Sequence, residues 1–367
     1  MDAKIEPMPD ELPEDKEDRE RLVEARLELS RLLRRSGDRE AAETVLAESL
    51  RGGLWGYQRL WGELWGLMER REDYAVIREL WLASPRRCHA RTPLLRTVAR
   101  AASVAGEHDE ARALMRKAIL VQAARTRRLR SRVNRIRKSA TGKAREIVSR
   151  PGLEAFEQRA DVALAALDAE FDRLGVRTFL ISGTLLGHVR DAQFIGWDKD
   201  IDLGFFTSEI SAADLQAAFE QSEQFDVRRL DFNTERLRVD HRNGMMVDIF
   251  PHYQGEDGRI WHDGTATRWA NDPFELRRAE FLGRSVLVPD PPERYLDENY
   301  GDWRTPDPYF DARLDAPNVE VTDPDFLDTL HYFGLLAAVN KRDQRKKRRY
   351  GELIRAVGDD GWLERIY

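Results

Sequence analysis

The chain carries a single cysteine, Cys88, in 367 residues. A lone thiol excludes an intrachain disulfide and any zinc site built on cysteines, and it suits a reducing compartment. No apolar run approaches the roughly 18–20 residues that a membrane-spanning helix needs. The start, MDAKIEPMPDELPEDKEDRE, lacks the basic and apolar stretches of a signal peptide, and its acidic, proline-containing composition predicts a disordered tail over residues 1–19. Charge of one sign is not in large excess. The net value of −6 gives no overall attraction to nucleic acid. The seven histidines show no ligand spacing and are read as non-metal. These absences together predict a cytoplasmic protein. What remains, 41% hydrophobic and 34% charged, is enough for two or three cores under a very polar surface.

From Glu20 to Val121 the apolar spacing is helical, and it repeats. Gly37, Glu72 and Gly106 share one phase. Ala42, Ile77 and Ala111 share a second, Leu46, Trp81 and Met115 a third, and Ser49, Ser84 and Ala118 a fourth, at steps of 35 and then 34 residues. That period, with small residues where paired helices must approach, predicts tetratricopeptide (TPR)-like helical repeats over 20–122. Ser36-Gly37-Asp38 and Ala105-Gly106-Glu107 fall at turns within helix pairs, and Pro85 closes the middle unit. The alternative is a generic helical bundle. Either stack would serve as a docking surface, for a protein partner or a second copy.

Residues 123–150 follow as a basic amphipathic linker helix. Arg125 to Arg150 holds eleven Lys/Arg against one acid, Glu146, with Leu129, Val133, Ile136 and Ala140 at helical spacing. Such a helix suits peripheral contact with an anionic membrane surface, here the inner face of the plasma membrane, or a solvated connector paired with acidic neighbours. Nucleic acid is set aside because no base-reading motif accompanies the charge. Pro151-Gly152 marks a domain boundary.

Residues 151–367 open with a helix on Leu153, Phe156, Ala160, Leu164, Leu167, Phe171 and Leu174, stopped by Gly175. An apolar run, Phe179-Leu180-Ile181, then meets Ser182-Gly183-Thr184 and a short helix ending in Arg190. Next comes Trp197-Asp198-Lys199-Asp200-Ile201-Asp202-Leu203. Strand side chains alternate, so Asp200 and Asp202 project from one face, a hard-oxygen pair suited to Mg²⁺ or Mn²⁺, with Asp198 in reserve. A bare Asp-x-Asp is more often a solvated strand end or a turn. Here a strand, a glycine turn and a helix start precede it, and that arrangement clusters N–H groups for phosphate. Thr207-Ser208 read as the N-cap of a helix over Ala212 to Glu220. Strands are expected at 225–230, 236–241 and 245–250. Asn243-Gly244 reads as a two-residue hairpin turn that sets Asp248 opposite Val239. Asp248 shares a face with Met246 and Phe250, an odd place for a charge without a task. After Pro251 the chain reads as irregular, and Leu327 to Ala338 as a helix.

At these residues the sequence resembles the LicD/fukutin family of nucleotidyltransferase-fold enzymes. The resemblance rests on Gly183-Thr184-Leu185-Leu186-Gly187, Val189-Arg190, Phe194-Ile195, the Trp197–Leu203 run, Val247-Asp248-Ile249-Phe250-Pro251, Val288-Pro289, and Tyr300-Gly301-Asp302-Trp303 with Pro306. It covers about Leu153 to Pro308, and the cysteine-bound zinc loop of one branch of the family has no counterpart here. The resemblance implies a mixed sheet flanked by helices for the second half and says nothing about the first, so with the TPR-like all-α region before it the chain is expected to be α+β. It implies Asp200, Asp202 and Asp248 as catalytic and metal-binding residues, with Asp248 either completing the metal shell or accepting a proton. Gly183, Thr184, Arg190 and Lys199 would bind substrate. It also implies a CDP-activated donor, and transfer of phosphoribitol, phosphoglycerol or phosphocholine to a hydroxyl of a cell-surface glycan, free or lipid-linked, with CMP leaving. Two alternatives stand beside it: a non-catalytic adaptor built on the repeats, and a nucleotidyltransferase that moves NMP to a small molecule.

Overall fold

The computed structural model describes residues 8–9, 11–68, 70–133, 150–196, 198–228, 235–359 and 361–367. Residues 134–149 of the basic linker, residues 1–7 and 10 of the acidic tail, and Trp197 lie outside the described residues. Contacts divide the chain into two compact units, Met1–Gly142 with Asp325–Tyr367, and Lys143–Pro324. The sequence predicts a second domain running to Tyr367. Residues 325–367 gather instead with the first unit. Within it Tyr332 stacks on Trp362, and Arg116 pairs with Asp359 at 2.6 Å.

The first unit is helical. Its helices are α1 (Lys16–Arg35), α2 (Arg39–Ser49), α3 (Gln58–Gly66), α4 (Tyr74–Ala83), α5 (Thr92–Val104) and α6 (His108–Val133), with Pro324–Lys341 and Gln344–Ala356 from the end of the chain. The two glycine turns fall between α1 and α2 and between α5 and α6. Gly37 has φ +85° and Gly106 φ +84°, a left-handed geometry that a β-carbon disfavours. Between α3 and α4 a 3₁₀ turn, Arg71–Asp73, takes the place of the glycine. Residues of the three apolar and small phases, Ala42, Ile77 and Ala111 and their counterparts, are all buried. Arg39 pairs with Asp73 at 2.5 Å and Arg78 with Glu110 at 2.9 Å, linking successive helix pairs. Among the described residues no helix is long and apolar enough to cross a membrane.

The second unit is built on a mixed sheet. Helix α7 (Arg150–Leu174) buries Phe156, Ala160, Leu164, Leu167 and Phe171 in its core, the stripe that the spacing predicts. It leads to β1 (Thr178–Leu180), α8 (Ser182–Asp191) and β2 (Asp200–Phe206), then α9 (Ala212–Glu220), β3 (Phe225–Arg228), β4 (Leu237–His241) and β5 (Met246–Gln254). Ser211, not Thr207 or Ser208, caps α9, accepting the Asp214 N–H at 3.0 Å. The stretch expected to be irregular forms β6 (Ile260–Asp263), β7 (Thr267–Asn271), β8 (Glu275–Phe281) and β9 (Arg284–Asp290), followed by α10 (Pro292–Tyr300) and β10 (Val319–Val321). The order is β10-β7-β6-β5-β2-β1-β9-β8, with β4 on β5 and β3 on β4. Pairing is parallel between β2 and β5 and between β1 and β9, and antiparallel elsewhere. Pro251 lies inside β5, where its missing N–H removes a ladder donor. It sits where the strand changes partner, since β4 pairs only as far as Ile249 and β6 begins at Tyr253.

Candidate active site

Strand β2 and its parallel neighbour β5 set the centre of the site. Asp202 lies beside Asp248 and Asp200 beside Met246, so Asp200, Asp202 and Asp248 share one face. The bend from β1 into α8 closes over them. Ser182 sits there at φ +48°, left-handed backbone that a non-glycine residue adopts at a cost of roughly 1–3 kcal/mol. The next N–H, of Gly183, donates to Asp202 Oδ2 at 3.2 Å, and the Asp202 N–H donates to Thr184 Oγ1 at 2.9 Å. A β-carbon on Gly183 would stand 3.0 Å from both oxygens of Asp198. The sequence reading gives Gly183 and Thr184 to the substrate. In the structure both hold the Asp-x-Asp strand, and Thr184 is fully buried.

Arg190 ends α8 with its guanidinium on the Asp191 carboxylate, at 2.9 Å from Nη2, and on the Trp303 carbonyl at 3.3 Å. It thereby anchors the Tyr300–Trp303 segment as a wall of the site, and it lies close enough to Asp198 to oppose that group's upward shift. Lys199 is exposed just before β2.

The hairpin between β4 and β5 differs from the two-residue reading. His241 N–H donates to the Met245 carbonyl at 2.8 Å, and Gly244, at φ +83°, closes a three-residue loop. The register moves by one residue, so Arg238 rather than Val239 faces Asp248. Its Nε donates to Asp248 Oδ1 at 2.7 Å, and its Nη2 donates to Asp248 Oδ2 and Asp200 Oδ2, each at 3.0 Å. Arg236, two residues back on the same face, reaches Asp248 Oδ2 at 3.5 Å and lies over the Phe250 ring at 5.4 Å. Neither arginine stands out in the sequence. The usable signal was their alternation along β4.

Burial and crowding of like charges raise the carboxyls of Asp198, Asp200 and Asp202. Burial, then the Asp200 charge, pushes Asp198 up to about 8 against the pull of Arg190. Burial and Asp248 raise Asp200, while Arg238 and Arg236 pull it back. Burial, then Asp200, Asp248 and Asp198, raises Asp202 well above the carboxylate range, with the Gly183 N–H opposing. Tyr300 is raised by burial and then by the Asp202 and Asp198 charges, which places it against the cluster. The cluster is short of positive charge, and Asp198 Oδ2 is buried without a hydrogen-bond partner. Hard carboxylate oxygens are the donor type that Mg²⁺ or Mn²⁺ takes, and Asp200 and Asp202, with Asp198 adjacent, would be the residues to hold such an ion. Asp248 has both oxygens on Arg238. Among the described residues no group of three or more His, Cys, Asp or Glu side chains is arranged to hold a metal ion.

Further along the same face, His252 on β5 and His262 on β6 lie 4.7 Å apart between ring centroids, both buried. His252 Nδ1 donates to the Phe250 carbonyl at 3.0 Å, leaving Nε2 without a partner. Burial lowers His252 to about 4, and burial, His252 and Arg236 lower His262 well below the ordinary histidine value. Both rings are therefore neutral in the folded chain and chargeable in the unfolded one. The stability this gives is present above about pH 6.5 and is lost as pH falls from there toward 4. The raised carboxyls act in the opposite direction, so the informative quantity is a difference between proteins. Between pH 7 and pH 5 the wild type should lose about 2 kcal/mol more than His252→Gln. Urea midpoints at the two pH values measure this, and parallel losses would contradict the neutral assignment.

A mixed sheet with carboxylates on two parallel neighbours, facing a strand–glycine–helix bend, is a nucleotidyltransferase-type centre. Residues 175–290, which contain that bend and all four carboxylates, match the family model described as LicD/FKTN/FKRP, nucleotidyltransferase domain. That stretch of the chain is similar to the nucleotidyltransferase domain of the LicD/fukutin family. Ribitol-5-phosphate transferase FKTN of Mus musculus is 30% identical over 175 residues, 45% of this chain and 37% of that protein. Its Homo sapiens counterpart is 28% identical over 176 residues, 45% of this chain and 38% of that protein. Ribitol 5-phosphate transferase FKRP of Mus musculus is 28% identical over 107 residues, 28% of this chain and 21% of that protein. The chain spans less than two fifths of the length of each of these relatives.

Proposed function

We propose that the sheet unit transfers a phosphoalditol, phosphoribitol or phosphoglycerol, or a phosphocholine group from a CDP-activated donor to a hydroxyl of a cell-surface glycan. The observation that carries this reading is the parallel β2–β5 register, which sets Asp200, Asp202 and Asp248 on one face beside the Gly183 bend. The names of the relatives, ribitol-5-phosphate transferases, support the class of group moved. In the reaction the acceptor oxygen bonds to the distal phosphorus of the donor, the bridging P–O bond breaks, and CMP leaves. Asp200 and Asp202, with Asp198 beside them, would hold a Mg²⁺ or Mn²⁺ that neutralises the charge accumulating on the diphosphate. Asp248 would accept the proton of the attacking hydroxyl or complete the cation's shell. The Tyr300–Trp303 wall, tied to α8 through Arg190, would limit water at the reacting centre. The helical unit would dock a partner or a second copy, and the basic segment 125–150 would face a membrane carrying a lipid-linked acceptor, with the reaction in the cytoplasm.

Incubation with CDP-ribitol, CDP-glycerol and CDP-choline tests this. CMP release from one of them, dependent on added Mg²⁺ or Mn²⁺, is the expected result. Pyrophosphate release from CTP, or no turnover of any donor by metal-loaded protein, would overturn it.

A further inference from the structure

The guanidinium of Arg238 occupies the oxygens that a divalent cation would draw on. It spans both oxygens of Asp248 and Oδ2 of Asp200 at 2.7–3.0 Å, from the strand directly opposite Asp248. Arg236 stands behind it at 3.5 Å from Asp248. Two cations cannot share these carboxylates at close range without strong repulsion, because like charges a few ångströms apart in a partly buried site are poorly screened. We propose that Arg238 is the resident cation of the acidic cluster, that it competes with the divalent metal, and that it is released onto the donor's diphosphate when metal and donor load together. This rests on the transferase reading above and deepens it. Arginine suits both states, because its planar fork grips a carboxylate or a phosphate by two donors at once. The arm also has room to turn, as the side chain keeps 23% of its surface exposed while that of Asp248 keeps 7%. Arg238 is then a positioning residue that makes metal affinity depend on nucleotide. Metal alone must displace an intact bidentate ion pair, whereas with a diphosphate present the displaced guanidinium finds a new anion.

The test is Mn²⁺ uptake by the full chain, followed by electron paramagnetic resonance of free Mn²⁺, with and without CDP. In the wild type CDP should tighten Mn²⁺ by tenfold or more. In Arg238→Gln the nucleotide-free protein should bind Mn²⁺ at least tenfold more tightly than wild type, and the effect of CDP should shrink. Arg238→Lys keeps a charge but cannot span Asp248 and Asp200 together, so it should fall between the two, and it serves if the glutamine variant melts early. A merely structural arginine predicts the reverse, weaker Mn²⁺ binding in both variants. That result, or unchanged coupling in both variants, overturns the proposal while leaving the transferase reading standing. If neither wild type nor variants take up Mn²⁺ with CDP, the metal reading of the site falls and this proposal with it.

Discussion

Asp202→Asn is expected to abolish metal-dependent CDP binding and transfer while raising the thermal midpoint of the metal-free protein. The two effects share a cause. Asp202 is raised well above the carboxylate range by burial and by Asp200, Asp248 and Asp198. A carboxyl whose folded pKa lies above its unfolded one binds its proton more tightly when folded. Its contribution therefore becomes unfavourable as pH rises from about 4 through the folded value, and it is unfavourable at neutral pH. Asparagine keeps an oxygen to accept the Gly183 N–H at 3.2 Å and the backbone bond to Thr184, so the bend should hold. What disappears is the charge. Each kcal/mol relieved should raise the midpoint of the Lys143–Pro324 unit by about 2–4 °C. Saturating Mg²⁺ should reverse the order of the two proteins, because a ligand bound only by the folded state stabilises only the protein that binds it. Melts with and without Mg²⁺, beside calorimetry with CDP, measure all of this. A variant that melts lower than wild type without metal, or that still binds CDP with metal, would refute the electrostatic account of the cluster.

The carboxylate face was legible in the sequence because it depends only on a period of two. Asp200 and Asp202, and separately Met246, Asp248 and Phe250, fall on common faces whatever pairs with them, and the structure joins the two sets in parallel. Register was not legible to one residue. Asn243-Gly244 fits a two-residue turn, but Asn243 uses its side chain to accept the Met245 N–H at 3.0 Å, and the loop closes one residue earlier, on His241. That single step replaced Val239 by Arg238 opposite Asp248 and supplied the ion pair on which the metal argument turns. The later strands were missed for a related reason. The β8–β9 hairpin turns at Leu282-Gly283 with φ of +51° and +77°, and a leucine in left-handed backbone is not a recognisable turn signal. Pro251 reads as a strand breaker, yet it stands where β5 changes neighbours. The helical character of the first unit was legible through its small and apolar phases, whose residues are buried. Nothing in the amphipathicity of the last helices says which unit they cover, so only the contacts assign 325–367 to the helices.

Gly187→Ala should be among the most damaging single-methyl changes in the sheet unit, although it looks conservative and stabilising. Alanine in a helix interior ordinarily gains about 0.5–1 kcal/mol over glycine. Within α8 the added carbon would meet Gln193 O at 2.5 Å, Ile195 N at 2.9 Å and Phe194 Cα at 3.2 Å. All three are backbone, so no side chain can swing aside. The loop cannot back away easily either, because Phe194 is fully buried against Phe156 and Phe281 and Ile195 is 6% exposed. Overpacking of this kind costs about 1–3 kcal/mol, and here it works against backbone on both sides. A net loss of about 2 kcal/mol is expected, with at least a tenfold loss of metal-dependent CDP binding. The functional loss follows from the chain path: Asp198 N–H donates to the Ile195 carbonyl at 3.0 Å, and Asp200 opens β2 two residues later, so displacing residues 193–195 displaces the carboxylates. Gly62→Ala in α3 is the control. No atom lies within 4 Å of its β-carbon, and it should gain the helical stabilisation that position 187 cannot. If the Gly187 variant melts with the wild type and binds CDP and metal normally, the close approach of α8 to the 193–195 backbone does not set the position of the acidic strand.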